Sequence, residues 1–186
     1  MSDHCQSIVD IDVAPQDAAA AAENLRNWLL RTGVIDKNTG DNVLSGAPGH
    51  FPGPTLSQCF DHETDETIAD ISRLAVCGVA LTVGRAVFDT GSNGIELICD
   101  SCHARLANEP AYFDAVDAWA AGDDHVAYAC PRCGHTQPVK HWNGPFVFGL
   151  GCMAAEFYNW PPLSTRFVES VAHALNHRVR LVRQYI

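Results

Sequence analysis

Two cysteine pairs decide how this chain can fold. Residues 98–104 read Ile-Cys-Asp-Ser-Cys-His-Ala, and residues 129–135 read Ala-Cys-Pro-Arg-Cys-Gly-His. Each pair follows a strand-like run, which is typical of a strand that ends in a tight turn. Two such turns direct four thiolates at one point, and four thiolates are the ligand set of a structural Zn²⁺. The sequence therefore predicts a zinc site formed by Cys99, Cys102, Cys130 and Cys133.

Other chemistries fit the two cysteine pairs less well. The string Cys99-Asp-Ser-Cys102-His103 matches the haem-attachment pattern, but covalent haem attachment requires an exported chain. Thioredoxin-like redox chemistry uses one pair and leaves the other unexplained. An iron–sulfur cluster also takes four thiolates and stays open as an alternative. Because four cysteine ligands close the coordination sphere, we expect the metal to be structural rather than catalytic.

Length and composition indicate one soluble domain with a small insert. The chain has 186 residues, of which 47% are hydrophobic, enough for a packed core. No apolar run reaches the ~18 residues that a membrane helix needs. The first residues, Met-Ser-Asp-His-Cys, lack the cationic start and apolar segment of a secretory signal. We therefore expect a cytoplasmic protein, in which paired cysteines favour metal binding over disulfides.

The charge is strongly negative and unevenly distributed. The net charge is −10, with 14 acidic and 5 basic residues in 1–98 but 2 acidic and 4 basic residues in 143–186. This balance argues against nucleic acid as a partner, because affinity for phosphates depends on Lys and Arg. An acidic cluster in residues 61–70 is either a solvated loop or a docking surface for a basic protein partner. Its candidate partner-binding residues are Asp61, Glu63, Asp65 and Glu66.

The order of predicted elements favours an α+β fold. A strand near residues 7–13 precedes a helix, two strands flank the Asn93-Gly94 hairpin signal, and strand–helix–strand patterns end the chain. We expect a ferredoxin-like two-layer sandwich, with residues 1–98 and 143–186 forming the α+β domain and residues 99–142 a zinc-ribbon-like insert.

A charge pattern supports contact between the first and last strands of this predicted sheet. Asp10 and Asp12 alternate along the first strand, and Arg178 and Arg180 alternate along the last. Opposite charges on neighbouring strands stabilise a sheet by roughly 0.2–1 kcal/mol per pair. The alternative is a basic C-terminal edge that is reserved for a partner.

Two further regions are candidates for a binding or catalytic site. Residues 38–60 form a long Gly- and Pro-rich loop that carries His50. Aromatic residues concentrate around Trp160, with His141 and Glu156 as titratable neighbours. This aromatic corner is either part of the core or a recognition patch that contains Trp160.

Three motifs resemble a known group of proteins. They are Cys130-Pro-Arg-Cys-Gly134, Gly149-Leu-Gly151, and the run Phe157-Tyr-Asn-Trp-Pro-Pro162. Together with the first cysteine pair they resemble a family of small uncharacterised bacterial proteins with a zinc-ribbon-like insert and a C-terminal N-W-P-P motif. The resemblance covers residues 75–186 and implies no established activity. The chain also lacks the phosphate-binding loop motif of ATPases.

These observations predict a non-enzymatic cytosolic protein-binding module with a structural zinc site. A compact acidic protein of this kind suits an inhibitor or a toxin-neutralising, immunity-type protein. One alternative is an enzyme of unrecognised type that uses the 38–60 loop and the aromatic corner near Trp160. The other is a nucleic-acid-associated zinc-ribbon protein.

Overall fold

The computed structural model describes residues 3–62, 65–71 and 73–185. Four helices and eleven strands occupy these residues, together with short 3-10 turns at Leu56–Cys59 and Val139–His141. The helices are α1 (Ala18–Arg31), α2 (Asp65–Ile71), α3 (Pro110–Ala120) and α4 (Thr165–Leu175). The strands are β1 (His4–Asp10), β2 (Ile35–Gly40), β3 (Gly49–Pro52), β4 (Gly78–Phe88), β5 (Glu96–Ile98), β6 (Arg105–Ala107), β7 (Ala127–Ala129), β8 (Thr136–Pro138), β9 (Asn143–Phe146), β10 (Gly149–Tyr158) and β11 (Val179–Tyr185).

A six-stranded antiparallel sheet organises the larger part of the molecule. Its strand order is β11-β1-β10-β4-β3-β2. The helices α1 and α4 pack against one face of this sheet, where Leu25, Leu29, Phe157, Phe167 and Val171 are buried in a common apolar core. The predicted α+β class is confirmed at this level: helices and mostly antiparallel sheets share one core.

Local sequence signals explain where α4 begins and ends. The hydroxyl of Ser164 accepts a hydrogen bond from the backbone N–H of Phe167, at 3.1 Å, and so caps the first turn. Asn176 adopts a left-handed conformation with φ 56° after the last turn, a common way for a helix to stop. None of the helices in the described residues has the length and apolarity that crossing a membrane requires.

The predicted contact between the terminal strands is confirmed, with a different partner for one aspartate. β1 and β11 are antiparallel neighbours, and the guanidinium of Arg178 donates to both carboxylate oxygens of Asp12. Asp10 lies opposite Val179 rather than Arg180, so the side chains of Asp10 and Arg180 project from opposite faces of the sheet. The carboxylate of Asp10 instead contacts His177 at 2.7 Å.

The insert has its own core and its own sheets. β5 lies between β6 and β9, and β7 pairs with β8 as a separate hairpin. Buried residues from Ile95 to Leu150, including Trp119 and Trp142, form a second apolar cluster. This cluster therefore uses residues on both sides of the 99–142 segment.

The predicted hairpin around Asn93-Gly94 is wrong. β4 pairs with β10 and β3, whereas the following strand β5 belongs to the sheet of the insert. The physical reason is burial, since Ile95 and Leu97 pack into the apolar core of the insert. The Asn93-Gly94 turn thus redirects the chain from one sheet to the other.

Arg85 holds the insert against the main sheet. From β4 its guanidinium donates to the backbone carbonyl of Trp119, at 2.8 Å, and lies 4.5 Å from the centroid of the Trp119 ring. It also forms an ion pair with Asp124. One side chain therefore joins the two apolar cores through a hydrogen bond, a cation–π contact and a charge pair.

Candidate metal centre

The four predicted ligand cysteines lie together at the tip of the insert. The sulfur atoms of Cys99, Cys102, Cys130 and Cys133 are all within 4.8 Å of one another. The Sγ atoms of Cys99 and Cys133 are 3.8 Å apart, and so are those of Cys102 and Cys130. This geometry is compatible with a metal site in which each pair supplies two ligands.

The backbone builds the two cysteine turns in the same way. The N–H of His103 donates to the carbonyl of Cys99 at 2.9 Å, and the N–H of Gly134 donates to the carbonyl of Cys130 at 2.8 Å. In each turn the first cysteine also donates to a carbonyl five residues later, that of Ala104 or His135. The sulfurs therefore converge because two equivalent loops close on hydrogen bonds of their own.

The residue after each pair adopts a left-handed backbone. Gly134 has φ 75°, which glycine accepts without strain. His103 occupies the equivalent position with φ 57°, although a side chain is disfavoured there. Histidine in place of glycine at this position thus leaves the shape of the first turn unchanged and adds a conformational cost to it.

Burial and hydrogen bonding make the four thiols unequal. Cys99 and Cys130 are buried, whereas Cys102 and Cys133 are exposed. Backbone N–H groups, first that of Cys102 and then that of Ser101, lower the pKa of the Cys99 thiol to about 6. At Cys102 the backbone N–H of Ala104 favours the thiolate, but the neighbouring thiols, led by Cys133, and desolvation raise the pKa to about 11.

Aromatic side chains of the insert pack next to the second cysteine turn. The indole N–H of Trp142 donates to the carbonyl of Tyr128 at 3.3 Å, and the two rings lie 5.0 Å apart. Tyr128 is on β7, the strand that leads into Cys130. The strand that leads into the second cysteine turn is therefore held by packed aromatic side chains.

The remaining cysteines lie in apolar surroundings. Cys5, Cys59, Cys77 and Cys152 are all buried. Burial raises the pKa of Cys59 to about 12 and that of Cys77 to about 11, so their thiols stay protonated at neutral pH. These cysteines have the character of core residues rather than of activated nucleophiles.

The predicted partner-binding residues do not form one exposed group in the described residues. Asp61 is exposed, Asp65 and Glu66 begin α2, and Glu63 lies outside the described residues. Trp160 is fully buried, with its ring 5.0 Å from that of Phe157. The indole of Trp160 is therefore part of the core and presents no surface to a partner.

Gln6 ties the aromatic corner to the first strand. Its amide nitrogen donates to the carbonyls of Trp160, at 3.0 Å, and Pro161, at 2.8 Å. Its amide oxygen accepts from the N–H of Leu163 at 3.0 Å. Nothing in the sequence around Gln6 indicates that this buried amide satisfies three backbone groups.

The three titratable candidates for catalysis have separate partners. The Nδ1 atom of His50 contacts the carbonyl of Asp36 at 2.9 Å. Glu156 accepts hydrogen bonds from the hydroxyl groups of Thr82 and Tyr158. His141 contacts Arg178 at 3.2 Å. None of these hydrogen bonds joins two of the three candidates.

The chain has no match among family models, curated proteins or solved structures. Its own geometry therefore carries the functional inference. Within the described residues, the four cysteines form the one cluster with at least three side chains placed to hold a metal ion.

Proposed function

We propose that the four cysteines hold one structural Zn²⁺. A tetrahedral ion with Zn–S bonds of about 2.3 Å places its sulfur ligands about 3.8 Å apart. Two sulfur pairs are separated by 3.8 Å, and all four sulfurs lie within 4.8 Å of one another, which supports a single ion at the centre. An iron–sulfur cluster divides its thiolates among several iron atoms and spreads them further. Four thiolate ligands leave no position for a substrate, so the ion acts by stabilising the insert.

Metal analysis tests this assignment. The protein purified under reducing conditions should contain about one Zn²⁺ per chain, and Cys130→Ser should lose it because a ligand is missing. Cys5→Ser is the matched control, since Cys5 is a buried cysteine outside the cluster. Iron in the wild type, or no metal in the reduced protein, would contradict the proposal.

We propose that the larger sheet is a ferredoxin-like sandwich interrupted by a zinc-ribbon-like insert. Without the insert, the short β2–β3 hairpin and α2, the order of helices and strands is β1-α1-β4-β10-α4-β11 and the sheet order is β11-β1-β10-β4. A strand–helix–strand repeated twice in an antiparallel sheet, with first and last strands adjacent, supports this assignment. The two cysteine turns support the ribbon-like character of the insert.

We propose further that the protein is a cytosolic protein-binding module, an inhibitor or toxin-neutralising protein whose partner is basic. The observation that carries this proposal is the closed set of four thiolates, which offers no catalytic metal position. The separate partners of His50, His141 and Glu156 support it against the enzymatic alternative. The net charge of −10 supports a basic partner, since charge complementarity accelerates and orients association.

A capture experiment with two charge-matched variants tests this function. The triple variant Asp61→Asn, Asp65→Asn, Glu66→Gln removes three predicted partner-binding charges. The control Asp114→Asn, Asp117→Asn, Asp123→Asn removes three exposed charges from the insert. A genuine partner captured from a lysate of the source cells should be basic, should bind less in about 0.5 M salt, and should be lost with the first variant alone. A partner indifferent to salt and to both variants would contradict the proposal.

A further inference from the structure

A cleft of about 450 Å³ lies between the last strand and the insert. One side is lined by Val179, Arg180 and Leu181 of β11 and by Arg178 just before it, and His141 and Val147 belong to the other side. β11 is an edge strand of the large sheet, and β9 is an edge strand of the insert's sheet. The cleft is therefore bounded by two sheets whose edges are both unpaired, and its volume suits a small molecule.

Arg180 brings an uncompensated positive charge into this cleft. Its guanidinium donates to the backbone carbonyl of Phe148 at 3.0 Å and to the side-chain oxygen of Asn143 at 3.1 Å. Both acceptors are neutral, and no acidic side chain is among the described residues that line the cleft. Burial lowers the pKa of Arg180, so the charge is partly withdrawn from water.

Five other arginines of the chain are arranged differently. Arg26, Arg73, Arg85, Arg105 and Arg178 each contact a carboxylate. A half-buried guanidinium that uses two of its five N–H donors on neutral oxygens retains donors for an anion. Guanidinium groups bind carboxylate and phosphate oxygens in a bidentate geometry. Arg180 thus has the chemistry of an anion ligand rather than of a further surface ion pair.

The surroundings of Arg180 add a second polar side chain, His141, to the cleft. Arg178 is paired with Asp12, and the same guanidinium contacts the Nε2 atom of His141 at 3.2 Å. Burial, followed by the charge of Arg178, lowers the pKa of His141 and so favours the neutral ring. If Nε2 accepts from Arg178, Nδ1 of the neutral ring carries the proton and can donate.

The backbone of the edge strand supplies further donors. Because the N–H of Ile11 bonds to the carbonyl of Arg178, the alternation of an antiparallel ladder turns the N–H and C=O groups of Val179 and Leu181 away from β1. These groups face the free edge, where the cleft lies. Val147, which is buried, provides an apolar wall beside them.

We propose that this cleft binds a small organic anion, with its carboxylate or phosphate group on Arg180 and its apolar part against Val147. Inorganic anions leave most of the cleft volume unused, whereas an anion with an apolar body uses both the cationic and the apolar walls. This site requires neither the metal nor a protein partner.

Thermal unfolding of the metal-loaded protein with three probes tests the proposal. Phenyl phosphate and benzoate carry the two candidate anionic groups on an aromatic body, and benzyl alcohol is a neutral analogue. At least one anion should raise the Tm saturably, because a ligand that binds the native state stabilises it. Benzyl alcohol should not raise it. The anion with the lower Kd identifies phosphate or carboxylate as the preferred group.

Two variants separate the site from general charge effects. Arg180→Gln should weaken the binding of the active anion at least tenfold, whereas Arg26→Gln, on an exposed helix face, should leave its Kd unchanged. Equal weakening by both variants, or an equal response to benzyl alcohol, would overturn the proposal.

An NMR titration of the wild type remains informative if Arg180→Gln does not fold. Saturable amide shifts should concentrate in residues 143–147 and 178–181. Shifts that map to another part of the chain, or no saturable response to either anion, would overturn the assignment.

Discussion

Replacing Gly134 by alanine should weaken metal binding by making the second cysteine turn costly to close. Gly134 follows Cys133 and holds a left-handed backbone with φ 75°. A Cβ built at this position meets no heavy atom within 4 Å, so the substitution adds no steric clash. The whole effect should therefore come from the backbone conformation, which makes its size calculable.

The expected size follows from two opposing terms. A left-handed conformation costs a residue with a side chain roughly 1–2 kcal/mol. Alanine restricts the unfolded chain more than glycine and returns about 0.4–1 kcal/mol. The net loss is about 1 kcal/mol, or about a fivefold change in an equilibrium constant. The metal-free turn can relax into an unstrained conformation, whereas the metal-bound turn must keep the left-handed backbone. The cost is therefore paid on metal binding and should lower the affinity for Zn²⁺. His103→Gly should have the opposite sign, since it removes the cost at the first turn.

A competition titration against a chromophoric chelator measures the change in Zn²⁺ affinity. Gly46→Ala is the matched control, because Gly46 has φ 74° and equally open space but lies in the β2–β3 loop. Gly134→Ala should bind Zn²⁺ about fivefold more weakly, and Gly46→Ala should match the wild type. Unchanged affinity in Gly134→Ala, or equal weakening in both variants, would refute the strain argument.

Two further predictions concern contacts outside the metal site. Arg178 lowers the pKa of Asp12 from 3.8 to about 2, so this pair stabilises the fold above pH ~4 and the contribution disappears as the pH falls towards 2. In urea unfolding, Asp12→Asn should be less stable than the wild type by about 1 kcal/mol at pH 6, a value that allows for solvent screening of the pair. The two proteins should be equally stable near pH 2. A stability difference that does not change with pH would contradict this. Arg85→Ala should lower the free energy of unfolding by about 2 kcal/mol, because the contacts with Trp119 are lost. A double-mutant cycle with Asp124→Asn should assign less than half of this loss to the exposed ion pair. An equally large loss of stability in Asp124→Asn alone would contradict the prediction.

Features with a short-range physical cause could be predicted from the sequence. The convergence of the cysteines within each pair depends on a single tight turn, so spacing alone indicates it. The cap at Ser164 has an equally local cause. The pairing of β1 with β11 spans nearly the whole chain, yet the opposite charges at the ends of the two segments indicated it. Asp12 and Arg178, just outside the two strands, form an ion pair.

Features that depend on competition between two cores could not be predicted in this way. The Asn93-Gly94 signal is real as a turn, but burial of Ile95 and Leu97 in the insert outweighs pairing with β4. The sequence allowed the aromatic residues around Trp160 to be either part of the core or a recognition patch. The structure decides for the core, since Trp160 is buried. The interaction of Gln6 with this corner joins residues more than 150 positions apart, so no local pattern carries it.

The amino-acid sequence by itself determined the α+β class, the location of the cysteine cluster and the acidic balance, because composition, spacing and periodicity express these directly. The tertiary structure alone decided how the two pairs meet within 4.8 Å and which strands belong to which sheet. It also decided that Arg180 lies in a cleft between the main sheet and the insert, where its hydrogen-bond partners are the neutral oxygens of Phe148 and Asn143 and the described lining residues include no carboxylate. Position along the chain is the physical reason: Arg178 lies just before β11, beside Asp12, whereas Arg180 lies opposite Val9 within the paired strands and reaches the carbonyl of Phe148.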